Sequence, residues 1–347
     1  MTVQNGNRED TNVNTAMDAR SWTTAARLYN STVAAWAIGA AWELGALDEL
    51  AEHGVLDTFE FATRHDLDAA STLGMFRALA AVGVVRRDDT KIVPADAFAE
   101  IHQTRSLFHW LVRGSAELFR QMPSVLRNEN RAGEFYRRDP AAIAFACKEI
   151  STFCYDPWFW SAVDGLGTDF GVVLDLGCGS GERLRQVLHR HPGTRGIGVD
   201  IAGEALKVAE KDAATAGLAD RVTFVEEDML SMATRPEFAD VELLTCFMAG
   251  HDLWPREQCV RTLRRFRDLF PNARRFLIGD ATRSVGIPDD ELPVFMLGFE
   301  VAHDMMGAFM PTVEDWESVF ADGGWRLRRK HTIDMVASEV IFELERR

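Results

Sequence analysis

Val172-Val173-Leu174-Asp175-Leu176-Gly177-Cys178-Gly179-Ser180-Gly181 carries an apolar run into an acid and then three glycines at alternate positions, and a helical pattern from Glu182 to Arg190 follows. This order describes a buried strand that turns tightly into a helix. Glycine lets the backbone make that turn and lets a ligand lie against it. Two more apolar runs close on acids: Gly196-Ile197-Gly198-Val199 ends in Asp200, and Val222-Thr223-Phe224-Val225 leads to Asp228-Met229. Together the three elements predict an edge that binds a nucleoside. A carboxylate at the end of the second strand, Asp200, can accept both ribose hydroxyls, while Asp228 and Met229 would flank the base.

The same geometry serves dinucleotides, and spacing separates the two. A dinucleotide fingerprint requires a third glycine at position 182, where this chain has Glu182, whose charge would repel a pyrophosphate. The run Asp-x-Gly-x-Gly-x-Gly instead resembles motif I of the Rossmann-like S-adenosylmethionine (SAM) methyltransferases. Their cofactor is a sulfonium cation without phosphates, and acidic surroundings favour it. The resemblance implies a class I SAM methyltransferase domain with Asp175, Gly177, Gly179, Gly181, Asp200, Asp228, Met229 and Phe247 around the cofactor. Cys178, inside the loop, reads as a small filler rather than a nucleophile.

A chain of 347 residues exceeds the roughly 250–300 at which a single core stops growing, so two domains are expected. With 38 basic against 53 acidic side chains the net charge is -15, which argues against nucleic acid as a partner. No apolar run approaches the roughly 20 residues of a membrane span, and residues 1–15 are polar, unlike a signal, and are expected to form a disordered tail. Five cysteines (Cys147, Cys154, Cys178, Cys246, Cys259) without paired spacing fit a reducing cytoplasm.

Residues 16–165 read as a helical domain, with an apolar stripe through Val33, Ala34, Trp36, Ala37, Ala41, Leu44 and Leu47. Leu67, Met75, Leu79 and Val82, then Val84-Val85, a polar tip from Arg86 to Lys91 and Ile92-Val93, predict a helix pair and a hairpin, a winged-helix-like unit. Residues 1–100 carry 8 basic and 15 acidic side chains, the wrong sign for a DNA-binding regulator. Apolar, alanine-rich helices ahead of a methyltransferase core resemble the N-terminal dimerisation domain of small-molecule O-methyltransferases, which implies a homodimer whose helices help roof the site. From 166 to 347 strands alternate with helices, predicting an α/β, Rossmann-like domain with a mostly parallel sheet. Strands are expected near 172–176, 195–200, 221–226, 241–247 and 273–280, followed by an antiparallel pair at 325–332 and 335–344.

After the fourth strand, Gly250-His251-Asp252-Leu253-Trp254 resembles the His-Asp-Trp segment of O-methyltransferases, whose histidine is a general base. Further on, Phe299-Glu300-Val301-Ala302-His303-Asp304 supplies a second His-Asp pair where those enzymes usually carry a Gly-Arg-Glu-Arg-Thr-like run. Two imidazoles and a carboxylate make a facial triad with open metal positions, so His251, Asp252 and His303 are candidate ligands of one iron or zinc ion as well as the candidate catalytic residues. The layout is similar to that of metal-dependent alpha-keto acid C-methyltransferases of nonribosomal-peptide pathways. That resemblance implies methyl transfer from SAM to the β carbon of a 2-oxo acid, of the phenylpyruvate or 4-methyl-2-oxovalerate type, through a metal-stabilised enolate. It also points to Trp110, Ser115 and Arg138 as substrate contacts, with Arg127 or Arg137 as alternatives to the last. Asp304 and a metal-bound water are equal candidates for the proton acceptor. The alternative keeps the fold and cofactor and makes His251 the general base of a metal-free small-molecule O-methyltransferase.

Overall fold

The computed structural model describes residues 23–167, 169–334 and 338–347. The expected tail over 1–15, residues 16–22 of the helical domain and residues 335–337 of the last expected strand lie outside them. The backbone divides into two compact units, one ending at His102 and the other running Gln103–Arg347.

The first unit contains α1 (Thr23–Glu43), α2 (Ala46–His53), β1 (Leu56–Asp57), α3 (Thr58–Arg64), α4 (Ala69–Ala81), β2 (Val85–Asp88) and β3 (Lys91–Pro94). Asp57 and Asp68 cap α3 and α4, accepting from the N–H groups of Phe59 and Glu60 and of Ser71. Buried Phe61, Phe76, Leu79 and Ile92 form its centre. The helix pair and hairpin are present, but the tip is shorter than expected. Arg86, Arg87 and Asp88 pair with Val93, Ile92 and Lys91, so the polar side chains belong to the ladder rather than to a loop. On α1 the buried face is Ala34, Ala37, Ile38 and Ala41, whereas Val33 and Trp36, counted in the apolar stripe, are exposed. The 3.6-residue period places 34, 37, 38 and 41 on one side and turns 33 and 36 away from it.

In the second unit, α5 (Phe98–His109), a π-turn at Trp110–Gly114, α6 (Ala116–Arg120), α7 (Met122–Val125) and α8 (Pro140–Asp164) precede the sheet. α5 spans the point of division between the units. The sheet strands are β4 (Val172–Leu176), β5 (Arg195–Asp200), β6 (Val222–Glu226), β7 (Leu243–Phe247), β8 (Arg275–Ala281), β9 (Trp325–Asp334) and β10 (Ser338–Arg346). Their order is β6-β5-β4-β7-β8-β10-β9, parallel from β6 to β8 with β10 antiparallel to both of its neighbours. The strands lie where the pattern puts them, with β7 and β8 starting later than the expected 241 and 273. The helices are α9 (Glu182–Arg190), α10 (Gly203–Thr215), α11 (Arg256–Leu269), α12 (Met296–Met306) and α13 (Val313–Phe320).

β4 and β7 are buried along their whole length, as central strands covered on both faces must be. Ile150, Cys154, Tyr155 and Phe159 of α8 pack with Val173, Leu277 and Ile341 of the sheet in one core. Leu263, Phe266, Trp316 and Phe320 pack with Leu174, Phe276 and Phe342 in a second. Helix α8, expected within the first domain, thus shares the sheet's core, because that face is the apolar surface against which its stripe is buried. No helix among the described residues is long and apolar enough to cross a membrane.

Candidate functional site

The glycine loop follows β4 with Gly177 at φ +70°, and a Cβ there would stand 2.6 Å from the Cβ of Ala249. Only glycine satisfies both conditions, so the loop can run against the segment that follows β7. Asp200 ties β5 to this loop: Oδ2 accepts from the N–H of Gly179 at 2.7 Å and Oδ1 from that of Ala202 at 2.8 Å. A cavity of about 530 Å³ opens over these strand ends, and Gly177, Asp200, Asp228, Met229, Phe247 and Asp252 all line it. This is where an open parallel sheet offers room to a ligand. A neighbouring cavity of about 120 Å³ takes in Asp175, Gly179 and Arg183. Gly181 lines neither cavity; it precedes α9, and the ring of Phe224 lies 3.0 Å from where its Cβ would be. Asp175 is buried and accepts from Thr245 Oγ1 at 2.6 Å. Burial pushes its carboxyl up to about 6 against the opposing pull of Thr245 and Arg183.

Beyond β7, Met248 has φ +55°, a left-handed conformation that is sparsely populated for a non-glycine residue. Its N–H donates to the carbonyl of Gly279 at 2.8 Å, and a 3-10 turn over Gly250–Leu253 then carries His251 beside β8. There Nδ1 of His251 donates to Oδ1 of Asp280 at 2.9 Å. Asp280 has no exposed surface, and its Oδ2 has no hydrogen-bond partner. Gly250 leaves the room for it, since a Cβ at that position would stand 2.8 Å from Oδ2. Burial would lower the His251 imidazole, but the carboxylates of Asp280 and Asp252 outweigh it and raise the group to about 9.

His303, buried on α12, presents its ring 5.0 Å from that of His251 at an interplanar angle of 87°. Its Nδ1 donates to the Phe299 carbonyl at 2.7 Å. Burial and the neighbouring His251 hold it down at about 3, so it is a neutral ring. In both histidines Nδ1 is occupied and Nε2 is left open, the arrangement of metal-ligating imidazoles held by a second group. Asp252 lies on the cavity wall, its carboxyl raised by burial against the pull of His251. Among the described residues no group of three His, Cys, Asp or Glu side chains stands close enough together to hold an ion. The expected triad of His251, Asp252 and His303 is thus not assembled as a metal site among the described residues.

Of the candidate arginines, Arg138 is the one whose charge reaches the site. Its guanidinium is lowered by burial and attracted by Tyr136, Cys147 and Asp252, and it acts in turn on His251 and His303. It joins no ion pair among the described residues. Arg127 donates to the Pro123 carbonyl, and Arg137 is exposed. Trp110, on the π-turn, packs against Phe295 at 5.2 Å and Phe299 at 5.5 Å, and Phe299 lies 4.1 Å from the ring of His303. Trp110 borders a separate apolar pocket of about 420 Å³ rather than the cavity over the strand ends. Ser115 is buried with its Oγ unpartnered, and a bond from the Asp139 N–H to the Gly114 carbonyl at 2.9 Å holds its segment beside that of Arg138. Asp304 is exposed and paired with Arg283.

Sequence reasoning passed over Asp280, Phe299 and Arg183. A signal for Asp280 exists, because Phe276-Leu277-Ile278-Gly279-Asp280 is another apolar run closed by an acid.

Residues 173–270 match the family described as methyltransferase domain. The chain is 49% identical over 338 residues to the methyltransferase ungE' of Aspergillus campestris, covering 94% of this chain and 99% of that one. It is 26% identical over 322 residues to the indolepyruvate C-methyltransferase of Streptomyces griseus, covering 88% and 90%. Among solved structures the mitomycin 7-O-methyltransferase MmcR shares the fold, with a TM-score of 0.64 at 18% identity over 95% of this chain and 98% of that one.

Proposed function

The chain belongs to the SAM-dependent small-molecule methyltransferases of the O-methyltransferase-like superfamily, and from that premise we propose that it methylates the β carbon of a 2-oxo acid with a bulky apolar side chain. The observation that carries the reading is Arg138, a half-buried cation with no ion-pair partner among the described residues, whose charge acts on His251, Asp252 and His303. The carboxylate of a 2-oxo acid would satisfy it, and a phenol would not. The Streptomyces griseus relative, named for C-methylation of indolepyruvate, supports the same substrate class.

SAM would set its ribose on Asp200, each of whose oxygens accepts one backbone N–H and keeps a second acceptor site. Asp228 and Met229 would flank the adenine, and Phe247 would face the sulfonium. In this reading His251, Asp252 and His303 would together hold one iron or zinc ion, which would supply Lewis acidity toward the keto and carboxylate oxygens. The chain's own groups do the rest. Arg138 orients the acid, the Asp280 carboxylate keeps the His251 Nδ1 proton in place so that Nε2 is open, and Phe299 beside both imidazoles walls the side chain. His251, raised to about 9, must shed its proton before it serves as ligand or base. We further propose a homodimer, since α1 exposes Leu28, Tyr29, Val33 and Trp36, an apolar surface that a second copy would cover.

The His251–Asp280 pair favours one second reading, a metal-free O-methyltransferase with His251 as general base. Incubation with labelled SAM and a panel of 2-oxo acids and phenols, with and without chelator, separates them. Label on carbon that chelator abolishes supports the first reading. Label on carbon despite chelator retains the substrate class and removes the ion. Label in a phenol ether with chelator present rejects C-methylation.

A further inference from the structure

Helix α12 brings His303 to the site and ends at Met306, where the last carbonyls of a helix have no partner within it. The turn at Gly307 takes two of them. Its own N–H donates to the Asp304 carbonyl at 3.1 Å and that of Ala308 to the His303 carbonyl at 3.0 Å. The Met305 carbonyl takes its donor from Arg131, whose Nη1 lies 3.0 Å away, and Nη2 of the same side chain donates to the Asp304 carbonyl at 3.3 Å. Nη1 also donates at 3.1 Å to the carbonyl of Val125, the last residue of α7. The ring of Phe135 covers the guanidinium with its centre 4.8 Å away. Gly307 lets the arm lie against the helix end, since a Cβ there would stand 3.0 Å from Nη2.

Arg131 joins no ion pair among the described residues; its donors go to main-chain carbonyls of two segments far apart in the chain. A cation is favourable at the carboxyl end of a helix, where the dipole is negative. On one side of this contact is the helix end that carries His303, and on the other the stretch that runs from Arg131 past Phe135 to Arg138. Arg283 already holds α12 to the loop after β8 by pairing with Glu300 and Asp304. We infer that Arg131 is a positioning residue, a latch that fixes the carboxyl end of α12 to the segment of Arg138, so that His303 and Arg138 keep one spacing around the acceptor. The consequence for turnover rests on the proposed reading that these two groups serve the acceptor, whereas the latch itself is a property of the chain without ligand.

Hydrogen exchange of the full chain, read by mass spectrometry, and steady-state kinetics with phenylpyruvate test it together. In Arg131→Met the amides of the last turn of α12 should exchange roughly 10- to 100-fold faster, the range for losing charge-assisted hydrogen bonds, while β4 and β7 keep their wild-type protection. The same variant should show a raised KM for phenylpyruvate and a lowered kcat, with the SAM dissociation constant unchanged. Arg131→Lys keeps the charge and some donors but not the planar fork, so it holds the fold if the methionine variant does not, and should recover part of both effects. Wild-type exchange at α12 in the methionine variant overturns the inference. Faster exchange spread evenly over the sheet, or kinetic constants that stay at wild-type values, also overturns it, because Arg131 would then serve stability alone. A wild type that leaves phenylpyruvate unmethylated counts against the 2-oxo acid reading instead, and exchange at α12 still decides the latch.

Discussion

The Nδ1 atom of His251 stands 2.9 Å from Oδ1 of Asp280, a carboxylate with no exposed surface. One residue comes from the turn after β7 and the other from β8, and the parallel pairing of these strands brings them level. Such a carboxylate fixes the imidazole's orientation and tautomer. Asp280→Asn keeps the shape and removes the charge. We expect kcat to fall roughly 10- to 100-fold with the SAM dissociation constant unchanged, as read by steady-state kinetics beside calorimetry. An unaltered kcat would show that the bond only holds the turn in place.

The room for that contact is made by Gly250, where a Cβ would stand 2.8 Å from Asp280 Oδ2. Both groups are buried in packed surroundings and cannot simply separate. Gly250→Ala should lower kcat as Asp280→Asn does and should cost about 1–3 kcal/mol of stability, the usual effect of overpacking. Denaturant unfolding measures the second effect, and a variant of wild-type stability would refute it.

For Arg138→Met we expect the KM of the 2-oxo acid to rise about 10- to 100-fold, as for loss of a charge-assisted contact. The SAM affinity should not change. Arg137→Met, on the exposed neighbour, should leave the KM alone. Equal effects of the two variants would remove Arg138 from the site.

Asp175, expected beside the SAM cofactor, sits at about 6 because burial disfavours its charge. Binding a cationic cofactor requires the ionised carboxylate, so SAM affinity should be full above pH 6 and should fall as pH drops through 6, by up to about tenfold per unit. Asp175→Asn should bind weakly and without this dependence. Calorimetry between pH 5 and 7.5 reads both, and a flat wild-type profile would contradict the assignment.

Glu339 on β10 is buried, with neither carboxyl oxygen hydrogen-bonded among the described residues, and burial pushes its carboxyl up to about 8. Its ordinary value is 4.5. A raised folded value makes the contribution to stability full below 4.5 and lost as pH rises through 8, a difference on the order of a few kcal/mol. Thermal unfolding from pH 4 to 9 should show this decline in the wild type and a flatter curve in Glu339→Gln. Parallel curves would mean that Glu339 is ionised at no cost.

The strand–glycine–helix run was legible because its signals are local: β4 and α9 have the bounds that the pattern at 172–176 and 182–190 implies. The cavity over the strand ends likewise gathers Gly177, Asp200, Asp228, Met229 and Phe247. Less was legible where one face had to be chosen. Trp110 has the expected aromatic character but borders another pocket, and Val33 and Trp36 belong to an apolar stretch yet face outward. Adjacent His251 and Asp252 share a turn but not a direction, since consecutive residues of a 3-10 turn diverge by about a third of a revolution.

From the chain alone came the order of strands and helices, the glycine loop with the acids at the strand ends and the net acidity, because periodicity, glycine spacing and charge are properties of short stretches or of composition. The tertiary structure alone decided that His251 leans on Asp280, 29 residues away, that its ring lies 5.0 Å from that of His303, that Arg138 is half-buried where Arg137 is exposed and that Arg183 lies buried over Phe159 and Phe247. Each of these depends on strand register or on how a helix docks, and those are settled by burying apolar surface across the whole core, which no local stretch of residues specifies.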